Sequence, residues 1–501
     1  MLASLRSAAL FGLDAIPVDV EVDVTFGLPA LVLVGLPDAS VRESRDRVRS
    51  AIRNSGYEFP LQRVTVNLAP ADIRKAGTAF DLPIALGVLA ATGVVRTPTI
   101  ADTLIVGELS LDGSMLPTRG ALSVAALARR RGFRRLVLPA ANAAEASVVS
   151  GLTLLAADSL SEAVEILNDP TRARPRPPQP LPPTLADEPD LSEVHGQHLA
   201  RRALEIAAAG GHHMLMVGPP GAGKTMLARR LPGLLPPLAF DEALEVTMVH
   251  SVAGLLPPNS GLLAHRPFRA PHHTISDTAL VGGGSVPRPG EISLAHHGVL
   301  FLDEAPEFNR RALEVLRQPL EQGTIVVARA VRTAVFPARF ALVAAMNPCP
   351  CGFFGDPRRA CTCTPPQVQR YAGRLSGPLR DRIDLIVPLS ALPAATLHAA
   401  EPGESSAQVR ARVLAARNLQ MARNGSRLNA QLDGPHLLRD GRIRPGARTT
   451  LLQAVERLGL SARAYYRVLR VARTIADLAG EHAVEVPHVA EALQFRSEVA
   501  S

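Results

Sequence analysis

The first third of the chain alternates between strand-like and helix-like patterns of apolar residues. Residues 18–34 alternate apolar and polar side chains and then run apolar, which is typical of strands. Residues 40–55 place Val41, Val48 and Ile52 on one side of a helix that carries five arginines elsewhere. Further strands are predicted at 64–68, 104–109 and 136–139, with helices at 80–91 and 121–131. We therefore expect a mixed α/β domain over residues 1–169.

The pattern is interrupted at residues 170–189 by eight prolines, which predict an extended linker without a core of its own. Apolar runs suited to buried strands return afterwards, at 213–217, 298–302 and 340–346. From about residue 391 the pattern is helical, over 405–423, 448–458, 462–478 and 487–495. This order predicts an α/β core at 190–390, followed by an α-helical domain at 391–501.

Glycines follow the first apolar run of this core in the pattern G-x-x-x-x-G-K-[ST], the phosphate-binding P-loop. Backbone N–H groups in such a loop converge on phosphate oxygens, and the helix that follows adds positive potential. Lys224 would reach the β- and γ-phosphates of ATP, and Thr225 would ligate Mg²⁺. The predicted ATP-binding residues are Gly218, Pro219, Pro220, Gly221, Ala222, Gly223, Lys224 and Thr225.

Two carboxylates end the second apolar run of the core. Asp303 and Glu304 follow Gly298–Leu302 directly, which is the Walker B pattern. A carboxylate at the carboxyl end of a strand can hold the magnesium shell, and the next one can polarise the attacking water. We assign the first role to Asp303 and the second to Glu304.

Charge and composition narrow the class of partner. The 501 residues carry a formal charge of +8 and a pI of about 10, so a polyanionic partner is plausible. Aromatic residues make up only 4%, which argues against base stacking as the main mode of binding. No apolar run reaches the length of a membrane span, and the N-terminus lacks a signal-peptide pattern. We expect a cytoplasmic protein with no membrane partner.

All four cysteines lie within 15 residues, as C-x-C-x₉-C-x-C at Cys349, Cys351, Cys361 and Cys363. Four thiolates this close can form a tetrahedral, structural Zn²⁺ site, and the alternative is reduced thiols in a loop. Clustering does not fit a secreted disulfide framework. We predict bound zinc in a segment at 349–363.

Two segments could touch a substrate. Residues 323–336 predict a β-hairpin with Arg329 and Arg332 near its tip, where cations suit a phosphate backbone. Residues 265–285 are rich in Pro, Gly and His and predict an irregular insert. The pairs His272-His273 and His296-His297 invite a metal interpretation, but adjacent histidines cannot readily share one ion.

Arginines recur along the helix predicted at 405–423, at Arg410, Arg412, Arg417 and Arg423. This face could meet DNA or face solvent. We favour the solvated face.

The N-terminal domain resembles the proteolytic domain of Lon-type proteases in two stretches. Residues 70–78 match Lon's nucleophile segment, and residues 106–120 match the segment that leads to its catalytic lysine. Lys75 occupies the serine position and Leu122 the lysine position, so both groups of the Ser–Lys dyad are missing. The resemblance implies a Lon-protease-like (ribosomal S5 domain 2-like) fold without peptidase activity. Lys75 is then either a phosphate or DNA contact or a solvated loop lysine.

The remaining chain resembles the magnesium-chelatase branch of AAA+ ATPases. Residues 190–197 resemble the entry segment that packs near adenine, and Asn347 matches the sensor 1 amide. Within Leu379–Asp384, Arg382 matches the arginine finger supplied to a neighbouring subunit, with Arg380 as the fallback. Arg463 matches sensor 2, which would contact the γ-phosphate. This resemblance implies an AAA+ P-loop NTPase core with an α-helical lid, assembled as a ring, most simply a homohexamer.

The motifs together resemble the ComM/YifB family, the bacterial magnesium chelatase-like competence proteins, across essentially the whole chain. The resemblance implies an ATP-dependent DNA helicase that promotes branch migration when single-stranded DNA is recombined during natural transformation. A protein-remodelling ATPase of MoxR or magnesium-chelatase type is the alternative, since a ring motor can thread peptide as well as DNA. An ATP-dependent protease is opposed by Lys75 and Leu122.

Overall fold

A seven-stranded mixed sheet organises the N-terminal domain. The computed structural model describes residues 1–72, 74–96, 98–173, 189–257, 259–284, 286–328, 333–391 and 403–496. The N-terminal strands are β1 Leu2–Phe11, β2 Asp14–Thr25, β3 Ala30–Val34, β4 Arg63–Ala69, β5 Thr103–Ile105, β6 Glu108–Leu109, β7 Met115–Leu116, β8 Arg135–Pro139 and β9 Thr153–Ala157. Its helices are α1 Ala39–Asn54, α2 Asp81–Ala91, α3 Ala121–Arg130, α4 Ala143–Ala146 and α5 Leu160–Asn168.

The strand order in this sheet is β3-β4-β2-β1-β5-β8-β9. Strands β1 and β2 pair antiparallel along their full length, from Leu2 opposite Asp23 to Phe11 opposite Asp14. Strand β1 was not predicted, because its mixture of Leu, Ala, Ser and Arg shows little alternation. Helix α2 is buried on nearly every side against β1 and β2, which explains its unbroken apolar sequence. The mixed α/β prediction is confirmed.

A five-stranded parallel sheet forms the core of the motor domain. The sheet is formed by β10 Met214–Val217, β11 Phe268–Arg269, β14 Val299–Leu302, β17 Ala341–Met346 and β18 Leu385–Pro388. Two separate hairpins are formed by β12 Gly282–Gly283 with β13 Arg288–Pro289, and by β15 Thr324–Ala328 with β16 Thr333–Pro337. Its helices are α6 His198–Gly210, α7 Lys224–Ala228, α8 Leu231–Leu234, α9 Phe240–Ala253, α10 Asp277–Val281, α11 Glu291–Leu294, α12 Arg310–Glu314, α13 Arg317–Gln322, α14 Pro365–Ala372 and α15 Gly377–Arg380.

The sheet order β11-β14-β17-β10-β18 decides where functional side chains can meet. All five strands run parallel, so their carboxyl ends share one edge. The P-loop follows β10, Asp303 follows β14, and Asn347 follows β17. These three segments therefore lie side by side, as ligand sites do in open α/β sheets.

The C-terminal lid is helical, as predicted, with α16 Ser406–Asn424, α17 Gly434–Asp440, α18 Pro445–Leu458, α19 Ala462–Leu478 and α20 Val486–Gln494. The solvated face expected for the arginines of α16 is wrong. Arg417 donates to the Ala208 carbonyl at 2.7 Å, and burial lowers the pKa of its guanidinium to about 9. The other three bond to motor or lid acceptors: Arg410 to the Gly233 carbonyl, Arg412 to Glu205 and Glu404, and Arg423 to Asp477. These arginines anchor the lid to α6, to α8 and to itself.

The N-terminal domain packs directly on the motor at two places. At the first, Phe11 and Leu13 pack on the apolar core beneath the β15–β16 hairpin. Gly12, between them, has φ +62°, and a Cβ there would lie 3.1 Å from the Cβ of Ala334. At the second, the Ser251 hydroxyl of α9 donates to the buried carboxylate of Glu145. The hairpin and helix α9, which precedes the insert, thus both rest on the N-terminal domain.

We expect Ser251→Ala to destabilise this junction. Glu145 also accepts the Leu122 N–H at 2.8 Å, and burial raises the pKa of its carboxyl. Loss of a hydrogen bond to such a buried carboxylate costs about 1.5–3 kcal/mol. Thermal unfolding would show a lower midpoint for Ser251→Ala. Ser147→Ala is the control, because that hydroxyl bonds only to the Ala144 carbonyl within its own domain; equal midpoints would argue against a junction of this strength.

None of the helices in the described ranges is long and apolar enough to cross a membrane. The linker predicted at 170–189 contributes a 3₁₀ turn at Pro170–Arg172, and residues 174–188 lie outside the described residues.

Candidate active site at the two edges of the motor sheet

The P-loop connects β10 to α7 and takes the predicted strand–loop–helix form. Gly221 and Gly223 have φ of +78° and +88°, a left-handed conformation that glycine adopts without strain. Helix α7 begins at Lys224, directly after Gly223, so its first N–H groups face the loop. Gln197, in the predicted entry segment, donates to the Ala222 carbonyl at 3.2 Å and so joins that segment to the P-loop.

Lys224 lies where the loop and sensor 1 meet. Its ammonium donates to the Gly218 carbonyl at 2.6 Å and to Asn347 Oδ1 at 2.9 Å. Burial lowers the pKa of this lysine, while Asp303 and Glu304 oppose the shift. The cation predicted to contact phosphate is therefore in direct contact with the amide predicted to orient water.

The two Walker B carboxylates lie in different environments. Asp303 accepts the Thr225 hydroxyl at 2.8 Å and the Glu304 N–H at 3.0 Å. A hydroxyl and a carboxylate oxygen so placed are the ligand types that Mg²⁺ takes beside a triphosphate. Glu304 is half-exposed and has φ +51°, an unusual conformation for a residue with a side chain.

Sequence reasoning missed a partner of Glu304. His273 Nδ1 lies 3.6 Å from Glu304 Oε2, and its ring contacts that of Phe308 edge-on. His273 follows β11 within the irregular insert. The sequence showed it only as one of the pair His272-His273, between the P-loop and Walker B segments. The insert therefore touches the predicted catalytic base directly.

Arg382 and Arg463 line one cavity of about 810 Å³ together with further arginines, Arg339, Arg427, Arg467 and Arg470. The cavity also includes Gly211 and His213, which precede β10. The P-loop follows the opposite end of that strand, and four strand residues span about 13 Å. The two arginines therefore lie at the amino ends of the strands, and the nucleotide site lies at the carboxyl ends.

This position changes the prediction for Arg463. The sequence did not say which chain's γ-phosphate Arg463 would contact, and the structure places Arg463 beside Arg382 on the other edge of the sheet. Its guanidinium is 3.3 Å from Asp381, and Arg467 is 3.3 Å from the second oxygen of the same carboxylate. Arg463 cannot serve the P-loop of its own chain in this arrangement.

Arg382 is held by two acceptors. It pairs with the Glu321 carboxylate and donates to the Pro378 carbonyl at 2.6 Å. Burial and the neighbouring guanidinium groups of Arg317, Arg463 and Arg467 lower its pKa. Such a concentration of cations is suited to an anionic partner.

The four cysteine sulfurs converge, as expected for a metal site. Cys349 Sγ lies 3.3 Å from Cys351 Sγ and 3.7 Å from Cys361 Sγ, and all four sulfurs lie within 4.8 Å of one another. The Cys351 N–H donates to Cys363 Sγ at 3.4 Å. N–H groups of Phe353 and Thr362 lower the pKa of Cys351 to about 5. The donor set fits Zn²⁺, which prefers four thiolates in a tetrahedron.

The histidines at 296 and 297 also converge, on the carboxylate of Glu245, at 2.8 and 2.9 Å. His296 Nδ1 accepts the Arg339 N–H at 3.0 Å, so its Nε2 carries a proton and donates to Glu245. These hydrogen bonds hold the pKa of Glu245 at about 2. The cluster is satisfied by hydrogen bonds and does not need a metal.

Three predicted DNA contacts have different outcomes. Both interpretations of Lys75, a phosphate or DNA contact and a solvated loop lysine, are wrong. Its side chain is fully buried and its ammonium donates to the Pro70 carbonyl. The predicted hairpin is formed by β15 and β16, paired from Thr324–Pro337 to Ala328–Thr333. Arg329 and Arg332 lie outside the described residues, and their contact with DNA stays a prediction.

Comparison with known families divides the chain as the fold does. Three family models match: magnesium chelatase, subunit ChlI, over residues 190–397; subunit ChlI of Mg-chelatase over 20–142; and the ChlI C-terminal region over 403–496. The N-terminal domain thus matches a chelatase-type model as well as the Lon-type pattern.

Two of the similar proteins cover nearly the whole chain, and a third covers part of it. Competence protein ComM of Haemophilus influenzae is 46% identical over 514 residues, covering 99% of this chain and 98% of that protein. YifB of Escherichia coli K12, described as uncharacterised, is 45% identical over 499 residues, covering 99% and 97%. A Lon protease of Chloroflexus aurantiacus is 29% identical over 160 residues, which are 29% of this chain and 19% of that protein.

Proposed function

The chain belongs to the ComM/YifB family of magnesium chelatase-like AAA+ ATPases, and from this premise we propose that it hydrolyses ATP in a ring of identical subunits to drive DNA branch migration. The observation that carries the proposal is the separation of the two halves of the ATP site. The residues predicted to bind phosphate and magnesium lie at the carboxyl edge of the motor sheet, and Arg382 and Arg463 lie at the amino edge.

Two chains together would complete each ATP site. ATP binds to Gly218–Thr225 of one chain, with Mg²⁺ held by Thr225 and Asp303. Glu304 takes the proton of the attacking water, and Asn347 orients that water. Arg382 and Arg463 of the next chain stabilise the charge on the γ-phosphate. Because such contacts run head to tail, they close into a ring, which we take to be a homohexamer.

DNA is the substrate that best fits the chemistry of the chain. The charge of +8 and the arginines of the predicted hairpin favour a phosphate backbone, which is bound without reading sequence. The relative in H. influenzae is named a competence protein. We infer a cytoplasmic helicase that moves branch points in single-stranded or branched DNA during natural transformation. Proteolysis is not proposed, since Leu122 is a buried apolar side chain where Lon has its lysine.

A branched three-strand DNA substrate with one labelled strand tests the proposed activity. We expect wild-type protein with ATP to release the labelled strand and branched DNA to stimulate ATP turnover, while Lys224→Ala does neither. If turnover proceeds without DNA stimulation or strand release, the DNA function is wrong. If an unfolded protein substrate stimulates turnover instead, the protein-remodelling alternative is favoured.

The cysteine knuckle, residues 349–363, would hold one Zn²⁺ in a structural role. Zinc would be ligated by Cys349, Cys351, Cys361 and Cys363, leaving no open position for chemistry. We expect elemental analysis of purified protein to give one zinc per chain, and Cys351→Ser/Cys361→Ser protein to give little. Equal metal content in the two proteins would exclude this site.

A further inference from the structure

The cysteine knuckle packs against the P-loop. Gly352, inside the knuckle, has φ +88°, and a Cβ built on it would lie 2.7 Å from Cδ and 2.9 Å from Cγ of Pro220. Pro220 lies in the middle of the phosphate-binding loop, and its ring cannot rotate away as a flexible side chain would. Gly352 therefore allows a close approach that no other residue permits.

A second connection runs through the backbone. Cys349 follows Asn347 by two residues. Asn347 Oδ1 accepts a hydrogen bond from the Lys224 ammonium at 2.9 Å. One residue earlier, the Met346 carbonyl accepts the Gly218 N–H at 3.2 Å. The first cysteine ligand is thus joined to both ends of the P-loop through one short stretch of chain.

The knuckle is itself held by its sulfurs. Cys349 is fully buried and accepts the Phe354 N–H at 3.3 Å, which fixes the turn that carries Gly352. The Gly352 N–H donates to the Cys349 carbonyl at 3.0 Å. Cys349 therefore contacts the turn that carries Gly352 and lies two residues from Asn347.

We propose that the knuckle braces the nucleotide site, so that metal binding at the four cysteines and ATP binding at the P-loop strengthen each other. Gly352 and Asn347 are the positioning residues of this coupling. The inference rests on the proposed zinc and ATP sites, and it does not depend on DNA as the substrate. Because coupling between two binding sites is reciprocal, each ligand must raise the affinity for the other by the same factor.

Two glycines of the knuckle provide a matched pair of variants. Gly352→Ala and Gly355→Ala introduce the same methyl group at left-handed positions, φ +88° and +79°. Only Gly352 abuts the P-loop, because a Cβ on Gly355 meets nothing within 4 Å. We expect Gly352→Ala to weaken binding of a fluorescent ATP analogue at least tenfold while it retains one zinc, and Gly355→Ala to bind within twofold of wild type.

The reciprocal experiment follows zinc release from full-length wild-type protein to a chromophoric chelator. We expect Mg²⁺-ATP to slow release at least tenfold, and to have no such effect on Lys224→Ala, which controls for chelation of zinc by ATP itself. This arm remains decisive if Gly352→Ala fails to fold. Equal release rates with and without ATP, equal ATP affinity of the two glycine variants, or absence of zinc from the protein would each overturn the coupling. Failure of the DNA assay alone would leave it standing.

Discussion

Lys224→Ala is expected to reduce ATP turnover by about a hundredfold to a thousandfold, the usual cost of removing a donor that stabilises transition-state charge. The ammonium is the only lysine cation of the described P-loop and already lies among oxygen acceptors, Gly218 O and Asn347 Oδ1. ATP affinity should fall as well, because the lysine is predicted to contact the β- and γ-phosphates.

Phosphate release measured with saturating Mg²⁺-ATP checks this result. Arg229→Ala is the control, since Arg229 is an exposed cation one residue beyond α7. It should retain wild-type turnover. A Lys224→Ala protein with more than a tenth of wild-type activity would show that the nucleotide site has been assigned to the wrong loop.

Arg382→Ala is expected to lower turnover by about a thousandfold or more, the effect of losing an arginine finger, while ATP affinity changes little. The reason is geometric: Arg382 lies at the amino edge of the sheet and can act only on a neighbour's nucleotide. Turnover is measured at a protein concentration where light scattering shows full assembly, so that loss of the ring is not mistaken for loss of catalysis.

Arg380→Ala is the matched control, two residues away and before the same strand, β18. If Arg382→Ala rings hydrolyse ATP normally and Arg380→Ala rings do not, the finger is Arg380. If both retain activity, the cavity does not supply the arginine at all.

Local motifs predicted which segments meet at the carboxyl edge of the motor sheet. The P-loop, the Walker B pair and Asn347 each follow a strand of one parallel sheet, so sequence order alone brings them to one edge. Thr225 and Asp303 meet at 2.8 Å as these motifs require. The convergence of the four cysteine sulfurs was also predicted, because the four residues lie close together in sequence.

Features that depend on how domains pack were not predicted. The position of Arg463 depends on the side of the sheet to which the lid attaches, and no local pattern shows this. The arginines of α16 look like a solvated face because several of their acceptors, such as the Ala208 carbonyl and the Glu205 carboxylate, lie about two hundred residues away in sequence. Lys75 looked exposed in a glycine-containing loop, yet the β-bridge between Pro37 and Lys75 draws it inward.

The N-terminal domain gains a physical role from its two contacts with the motor. Gly12 meets the hairpin at Ala334, and Glu145 meets Ser251 at the end of α9. In Lon the corresponding region carries the catalytic lysine, at the position that Leu122 occupies here. In this chain the Leu122 N–H donates to Glu145, which also accepts the Ser251 hydroxyl of the motor.

In the proposed ring two chains build each ATP site, and mixing two inactive variants tests this directly. Lys224→Ala has an intact Arg382, and Arg382→Ala has an intact P-loop, so a mixed ring contains some complete sites. We predict that co-assembled protein recovers ATP turnover well above the sum of the two variants measured separately. Turnover that stays at that sum, in rings shown by subunit exchange to be mixed, would contradict the composite site.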